Sequence, residues 1–258
     1  MDGNRRYAQE KKLGKKSEGH KKGFERLKLT LEWCLELGVN IVTVFAFAIE
    51  NFNREQQEVD LLMDLAKTKL REMANEGEFL EYHQIKVNII GDLTLLPKDV
   101  LKAMEEIMEI TKNYKKMEFN ICFAYNSSFE INQSLKKTQE TLQKQIKEND
   151  QQKSDNSQND LIKNKENNQK VNDSPYQIFL KNLMISQPPD IIIRTSNEIR
   201  LSNFLIAQST NSQLQFIKEN WPEISIFSIL SIIIQFQLNE KILQAQNQKL
   251  KDIIYNIA

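Results

Sequence analysis

Three short segments of the chain combine acidic, basic and hydroxyl side chains in arrangements that suit phosphate groups. The first reads DGNRR at residues 2–6 and runs into a basic stretch, residues 5–28, with ten lysines and arginines against three glutamates. One carboxylate beside glycine and arginine suits a magnesium–diphosphate site, because Mg²⁺ completes its shell with water and phosphate oxygens and arginine holds phosphate in bidentate fashion. A solvated basic surface would have the same composition.

The second segment lies directly after a β-branched and aromatic run. It places Glu50, Asn51 and Arg54 at the end of the predicted strand. In α/β proteins ligands bind beyond the carboxyl ends of strands, so these polar groups stand where a site is expected. An ordinary strand-to-helix turn, with Asn51 or Asn53 as the helix cap, explains them equally well.

The third segment, residues 194–204, follows a short apolar strand. Two arginines and three hydroxyls lie within nine residues, and Arg194, Arg200 and Ser202 could together clasp one diphosphate. The alternative is a polar loop with a surface Arg–Glu pair, which would contribute little to stability.

Apolar periodicity predicts the elements that position these segments. We predict helices over 24–37, 55–82, 97–114, 130–147 and 224–256, and strands over 39–47, 85–90, 117–125, 190–194 and 214–217. Alternating strands and helices predict an α/β fold with a central parallel sheet flanked by helices. The continuous apolar run at 39–47 predicts a strand buried on both faces.

Composition narrows the class of protein. The 35 basic residues cancel the 35 acidic ones, so no overall charge favours nucleic acid. The two cysteines, Cys34 and Cys122, lie in apolar runs, which excludes a disulfide scaffold. No apolar run reaches the ~20 residues of a membrane-spanning helix. We predict one domain over residues 1–258, with a disordered insertion at 148–173 because that stretch has little apolar surface to bury.

Further motifs accompany these segments along the chain. In order they are MDGNRRYA (1–8), EGHKKGF (18–24), VFAFAIENFNR (44–54), EVDLLMDLA (58–66), GDLTLLP (91–97), CFAY (122–125), RTSNEIRLSNFL (194–205) and WPE (221–223). Together they resemble the cis-prenyltransferase, or undecaprenyl diphosphate synthase, family, and most of all its eukaryotic dehydrodolichyl diphosphate synthase type. The resemblance covers almost the whole chain apart from the predicted insertion.

The resemblance implies a transferase that adds isopentenyl diphosphate to an allylic diphosphate such as farnesyl diphosphate, forming cis double bonds. The polyprenyl diphosphate product, here dehydrodolichyl diphosphate for dolichol synthesis and glycosylation, would grow in an apolar tunnel. Asp2 would hold Mg²⁺, and Asn51 would assist proton removal. The residues around the allylic diphosphate would be Asn4, Arg5, Arg6, Lys16 and His20, and those around isopentenyl diphosphate Arg54, Arg194, Arg200 and Ser202.

The sequence departs from the family pattern in several places. The sequence starts at the DGNRR motif, so we expect its sheet to lack the strand that precedes this motif in the family. Six positions carry a different residue from the family's usual one. Ala48 replaces a serine, and Lys16 and Ser128 each replace an arginine. Asn197 replaces a glycine, Ala207 a tryptophan and Gln213 a glutamate. Asparagine tolerates positive φ, so we expect the turn at Asn197 to survive. The alternative to an active enzyme is a catalytically weak homologue that serves as a binding or structural subunit.

The resemblance also predicts partners and location. Many members carry an arginine-x-glycine motif near the C-terminus that helps complete a diphosphate site across a dimer interface. The last arginine here is Arg200, and residues 251–258 contain no such motif. We therefore expect a heteromer with a non-catalytic sister subunit, with a homodimer as the alternative. The expected location is the cytoplasmic face of the endoplasmic reticulum, by peripheral membrane association and without a span of its own.

Overall fold

The computed structural model describes residues 1–75, 78–155 and 173–257. Its centre is a parallel three-stranded sheet formed by β1 (Ile41–Ala48), β2 (Ile85–Ile90) and β3 (Met117–Tyr125), in the order β1-β3-β2. β3 lies in the middle and is buried along nearly its whole length, with Phe119 and Tyr125 fully buried. The fold is therefore α/β with a central parallel sheet, as predicted.

The helices flank this sheet. They are α1 (Asn4–Glu10), α2 (Lys16–Glu36), α3 (Gln56–Asn75), α4 (Glu78–His83), α5 (Lys98–Thr111), α6 (Ser127–Asp155), α7 (Pro175–Lys181) and α8 (Ile226–Ile257). Apolar residues recur along α5 at helical spacing, and its buried stripe includes Val100, Met104 and Ile107. Gly38, at a φ of +76°, follows the end of α2.

A second, two-stranded parallel sheet is formed by β4 (Ile191–Arg194) and β5 (Gln213–Phe216). Within the described residues, β1 pairs only with β3 and β4 only with β5, and residues of both β1 and β4 line the same cavity. A small core joins the two sheets, because Tyr125 at the end of β3 packs with Ile192 of β4 and with Leu205.

β1 corrects one prediction. The apolar run was expected to be buried on both faces, but Ile41 and Ala46 are exposed. β1 is an edge strand of its sheet, and an edge strand that borders a cavity leaves side chains accessible from there.

Two predicted helices were too short: α2 begins at Lys16, whereas the prediction began at residue 24, and α6 ends at Asp155, whereas the prediction ended at residue 147. The helix predicted over 55–82 is observed as α3 and α4, and residues 76–77 between them lie outside the described residues. α6 runs past residue 147 to Asp155, so residues 148–155 of the predicted insertion are helical. Lysine, glutamate and glutamine are good helix formers. Residues 156–172 of the predicted insertion lie outside the described residues.

The membrane prediction concerns helix length. In the part of the chain that the structure describes, no single helix is long and apolar enough to cross a membrane. One pair of helical pieces, Ile226–Ile242 and Gln244–Leu250, reaches that length and composition when the two are taken together across a bend of 40°.

Candidate active site

The first and third polar segments meet at the carboxyl end of β4. The Asp2 N–H donates to Thr195 Oγ1 at 3.0 Å, and the Thr195 hydroxyl donates to the Asp2 carbonyl at 2.9 Å. The Trp221 N–H donates to the same carbonyl at 2.9 Å. Gly3 is needed beside this junction, because a Cβ there would lie 1.9 Å from Ser196 Oγ. The start of the chain is thus held against the end of β4.

The Asp2 carboxylate lies among hydrogen-bond donors. Oδ1 accepts from the Gly3 N–H at 2.8 Å, and Oδ2 lies 3.2 Å from Arg194 Nη2. Burial alone would raise the pKa of Asp2, but the hydrogen bonds from Arg194 and Gly3 and the charge of Arg194 outweigh it, so the pKa lies below its ordinary value. Asp2 is therefore an anion at neutral pH.

Arg194 organises the third segment. Its Nη1 donates to Ser202 Oγ at 2.7 Å and to the Arg200 carbonyl, while Nη2 reaches Asp2. Glu198 then bridges two further arginines, accepting from Arg6 at 2.8 Å and from Arg200. Four cationic or acidic side chains and one hydroxyl of the predicted site are therefore in one network around Arg194.

The turn that carries these groups has an unusual backbone. Ser196 and Asn197 adopt φ of +71° and +57°, and Ser202, Asn203 and Leu205 adopt +47°, +61° and +49°. Asn197 takes the positive φ expected where the family has glycine. Such conformations are uncommon for residues other than glycine and persist where surrounding contacts hold them.

A second pair of arginines lies around Glu58. Arg5 Nη1 and Arg54 Nη1 are 3.3 and 2.8 Å from the same oxygen, Glu58 Oε1. Burial, and then the charges of Arg54 and Arg5, lower the pKa of nearby His20, so its neutral form is favoured. The resemblance assigns Arg54 to isopentenyl diphosphate and Arg5 to the allylic diphosphate, whereas the structure pairs the two.

Two glycines bring the first segment onto α2. A Cβ at Gly19 would lie 2.0 Å from the Asn4 carbonyl oxygen, and one at Gly23 would lie 2.2 Å from Asn4 Oδ1. Both distances are far below van der Waals contact. At Gly19 the clash would be with backbone, so that position requires glycine, whereas a side chain at Gly23 would force the Asn4 amide to move. The absence of their side chains lets α1, with Arg5 and Arg6, lie directly on α2.

Asn51 comes from the turn after β1. It lies in a 3₁₀ turn, Ile49–Asn53, and its Oδ1 accepts from the Ala48 N–H at 3.3 Å. This bond orients the amide at the end of the strand, where the sequence predicted a site.

Most of the predicted site residues border one cavity of about 2340 Å³. Of the predicted site residues, those that line it are Asp2, Asn4, Arg5, Arg6, His20, Asn51, Arg54, Arg194, Arg200 and Ser202. The side chain of Lys16, at the start of α2, lies outside the described part of the structure. Apolar side chains also line the cavity, among them Leu27 of α2, Leu62 and Met73 of α3, and Ile229 and Phe236 of α8. The cavity thus has both a strongly charged region and an apolar region.

The donor set fits a metal that is shared with phosphate. Among the residues described, no three His, Cys, Asp or Glu side chains come together in a group that could hold a metal ion by themselves. Asp2 offers an ionised carboxylate on the cavity wall, beside Arg6 and Arg194. Mg²⁺ commonly binds through one or two carboxylates and takes its other ligands from water and phosphate.

The sequence analysis missed three residues of this network. Glu58, in the first turn of α3, lies four residues after Arg54, which just precedes that helix, and opposite charges at this spacing can meet, so Glu58 could have been found. Glu198 lies between two predicted arginines. Thr195 gave no signal, because its role depends on Asp2, which is 193 positions away.

Comparison with known proteins identifies the family. A family model described as "Putative undecaprenyl diphosphate synthase" matches residues 1–243. The chain belongs to this family, and it is a prenyltransferase. It is 41% identical over 244 residues to the human dehydrodolichyl diphosphate synthase complex subunit DHDDS, a match that covers 95% of this chain and 67% of that protein.

Further relatives of this prenyltransferase include archaeal enzymes and a solved structure. It is 37% identical over 243 residues to tritrans,polycis-undecaprenyl-diphosphate synthase (geranylgeranyl-diphosphate specific) from Pyrococcus furiosus, covering 93% of this chain and 83% of that enzyme. The crystal structure of lavandulyl diphosphate synthase from Lavandula x intermedia, in complex with dimethylallyl diphosphate, matches with a TM-score of 0.74 and 25% identity over 92% of each chain. The prediction of the family from its motifs is confirmed.

Proposed function

We propose that this prenyltransferase condenses isopentenyl diphosphate with an allylic diphosphate, such as farnesyl diphosphate, to make a long cis-polyprenyl diphosphate. The main support for the proposal is the composition of the cavity wall. Five arginines line it, namely Arg5, Arg6, Arg54, Arg194 and Arg200, and the same cavity continues between apolar side chains of α2, α3 and α8. Charged head groups and hydrocarbon chains therefore both find a suitable surface.

The arginines are held in pairs by two carboxylates, which supports binding of two head groups. Arg5 and Arg54 share Glu58, and Arg6 and Arg200 share Glu198. A diphosphate that displaces one of these glutamates meets two guanidinium groups that are already close together. In this proposal the allylic head group binds Asn4, Arg5, Arg6 and His20, with Lys16 added by the resemblance. The isopentenyl head group binds Arg54, Arg194, Arg200 and Ser202. Each glutamate therefore joins one arginine from each proposed site.

Asp2 holds Mg²⁺ in this proposal, together with oxygens of a diphosphate. The bound ion would neutralise the leaving diphosphate. The protein's own contribution is to keep Asp2 ionised and fixed, through its bonds to Gly3, Arg194 and Thr195. Arg6 lies 3.7 Å from Asp2 and supplies further positive charge to the same head group.

The chemistry joins the terminal alkene carbon of isopentenyl diphosphate to C1 of the allylic diphosphate. The C–O bond of the allylic diphosphate breaks, and inorganic diphosphate leaves with the electron pair. A proton lost from C2 of the isopentenyl unit restores a double bond. Asn51, held by its bond to the Ala48 N–H, lies on the cavity wall after β1 and is proposed to assist that proton loss. Apolar walls keep water away from the developing allylic cation.

The growing hydrocarbon would lie along the apolar wall. Leu27, Leu62, Leu65, Leu70 and Met73 line the cavity from α2 and α3. Each added isoprene unit buries more apolar surface there, which favours retention of the lengthening chain. These side chains are the proposed walls of the product tunnel.

The names of the relatives support a proposal for the product and the partner. The human relative bears the name of a complex subunit for dehydrodolichyl diphosphate synthesis. We therefore propose dehydrodolichyl diphosphate as the product, for dolichol synthesis and glycosylation, and a non-catalytic sister subunit as the partner. Exposed apolar side chains on α8, Phe227, Ile234 and Leu238, support an oligomer. The proposed location is the cytoplasmic face of the endoplasmic reticulum membrane.

The test measures incorporation of labelled isopentenyl diphosphate with farnesyl diphosphate and Mg²⁺. It uses the chain alone and the chain co-expressed with its sister subunit. We expect butanol-soluble cis-polyprenyl diphosphate, and more of it with the sister subunit. The proposal is overturned if neither preparation elongates any allylic diphosphate from five to twenty carbons. Binding of isopentenyl diphosphate without turnover would instead favour a binding subunit, the reading to which Ala48 in place of serine points.

A further inference from the structure

A buried carboxylate lies behind the third polar segment and takes no part in the chemistry described above. Glu130, in the first turn of α6, is fully buried. Its carboxylate accepts from three neutral donors: the Tyr125 hydroxyl, the Ile185 N–H at 2.9 Å and Gln208 Nε2 at 2.9 Å. Burying a carboxylate costs free energy unless hydrogen bonds compensate for the lost water. The three donors supply that compensation, and they indicate that Glu130 has a structural or functional role at this position.

The three donors come from separate parts of the chain. Tyr125 ends β3, Ile185 precedes β4, and Gln208 ends the loop that carries Arg200 and Ser202. Gln208 Nε2 also donates to the Ile185 carbonyl at 3.0 Å, so the two segments on either side of β4 are tied to each other as well as to Glu130.

Ser127, one turn before Glu130, reinforces the same connection. Its N–H donates to the Asn203 carbonyl at 2.8 Å, and its Oγ accepts from the Ile206 N–H at 2.8 Å. The Tyr125 hydroxyl lies 3.4 Å from the same Oγ. The start of α6 therefore holds the loop at both Asn203 and Ile206.

This loop needs such support because of its backbone. Ser202, Asn203 and Leu205 are all in the left-handed region, which L-residues adopt only when their surroundings hold them there. Leu205 is buried, and Phe204 stacks on Phe45 with ring centroids 4.9 Å apart. The Arg194 contact to Ser202 Oγ depends on this conformation.

We propose that Glu130 is a positioning residue for the isopentenyl diphosphate site, acting through Gln208, Ile185 and the loop that presents Arg200 and Ser202. It touches no substrate. The inference rests on the proposed function, because it assigns Glu130 to one head-group site of that reaction. Burial, and then the Glu130 carboxylate, raise the pKa of Tyr125, which keeps its hydroxyl protonated as a donor.

The kinetic test compares the two Michaelis constants in four variants of the full chain. In Glu130→Ala we expect the KM for isopentenyl diphosphate to rise about ten- to a hundredfold, since small displacements of binding groups have effects of that order. Gln208→Met, which removes only the amide bonds, should raise it several-fold. The KM for the allylic diphosphate should change less than about twofold in both.

Two further variants separate positioning from general destabilisation. Glu130→Gln should restore nearly normal kinetics, because its amide oxygen still accepts from Ile185 and Gln208. Thr111→Val is the matched control. Thr111 is also fully buried, and its hydroxyl bonds to Val87 and Ile107, far from the loop. It should lower the melting temperature without changing either KM.

The inference is overturned if Glu130→Ala raises both KM values equally or changes only the melting temperature. It is also overturned if Glu130→Gln is as impaired as Glu130→Ala. If Glu130→Ala does not fold, Gln208→Met decides, and unchanged kinetics in that variant contradict the proposal.

A second measurement separates failure of this inference from failure of the proposed function. If the wild-type chain performs no condensation, either alone or with its sister subunit, the proposed function fails. Binding of inorganic diphosphate by calorimetry and hydrogen exchange of residues 201–208 then test Glu130 directly. Several-fold weaker binding and faster exchange in Gln208→Met support the positioning role. Unchanged binding and exchange overturn it.

Discussion

Replacing Arg194 with lysine tests whether the geometry of this guanidinium, beyond its charge, makes the site. The guanidinium donates to three acceptors: the Asp2 carboxylate, Ser202 Oγ and the Arg200 carbonyl. Lysine carries a compact ammonium group where arginine has a planar guanidinium, so it cannot reach all three acceptors. We expect it to keep the bond to the charged acceptor, Asp2. The loop that carries Arg200 and Ser202 then loses both bonds that fix it to β4.

The size of the effect follows from these two lost bonds. Hydrogen bonds to charged groups contribute about 1.5–3 kcal/mol each. Because the freed Ser202 hydroxyl and Arg200 carbonyl can bond to water in the cavity, we take the lower end, a total of ~3 kcal/mol. At 1.36 kcal/mol for each factor of ten, Arg194→Lys should lower kcat/KM for isopentenyl diphosphate roughly a hundredfold.

The assay is steady-state incorporation of labelled isopentenyl diphosphate, with the melting temperature measured in parallel. Arg26→Lys is the matched control, because Arg26 donates to the Pro222 carbonyl at 3.0 Å and does not line the cavity. This control should leave kcat/KM within about twofold of wild type, which is much less than the tenfold change that corresponds to about 1.36 kcal/mol. If Arg194→Lys keeps more than about a tenth of the wild-type kcat/KM, the guanidinium does not organise the loop as argued.

Three further predictions concern charge, protonation and packing. Asp2→Ala should lower condensation about 10²–10³-fold with the fold intact, measured by label incorporation and circular dichroism, and more than a tenth of the activity remaining would contradict it. Because burial and the charge of Arg54 lower the pKa of His20, a bound diphosphate should raise it again. Calorimetry near pH 6.5 in two buffers of different ionisation enthalpy should then report proton uptake that His20→Gln abolishes. Ile107→Ala, at a fully buried position, should cost about 2–5 kcal/mol of unfolding free energy, whereas Ile110→Ala, 51% exposed on the same helix, should change it by less than ~0.5 kcal/mol in urea titrations.

The strands that consist of uninterrupted apolar runs were predicted correctly from local sequence patterns. β2 and β3 occupy the predicted residues, 85–90 and 117–125, because β-branched and aromatic runs there are bounded by polar residues. α1 was missed, since its sequence has no apolar periodicity and only Ala8 is buried. Pairing between distant strands cannot be read from such patterns, so the division into a three-stranded and a two-stranded sheet was not foreseen.

The site was predicted residue by residue through its motifs, but its internal pairing was not. The sequence grouped Arg54 with Arg194, whereas the structure joins Arg54 to Arg5 through Glu58. It also grouped Arg6 with the allylic set, whereas Glu198 joins Arg6 to Arg200. These pairings depend on how α1 lies on α2 and on the loop after β4, which no local pattern determines.

The two acidic bridges have a consequence for binding. Each of Glu58 and Glu198 holds two arginines together, so like charges are kept close before any diphosphate arrives. An incoming head group must replace a carboxylate, which offsets part of its attraction. It gains guanidinium groups that need little rearrangement, and preorganisation of this kind is the main source of electrostatic stabilisation in active sites. The two carboxylates therefore lower the affinity for diphosphate, but they keep the arginines in position while the site is empty. Weaker binding helps an enzyme that must release diphosphate after every added unit.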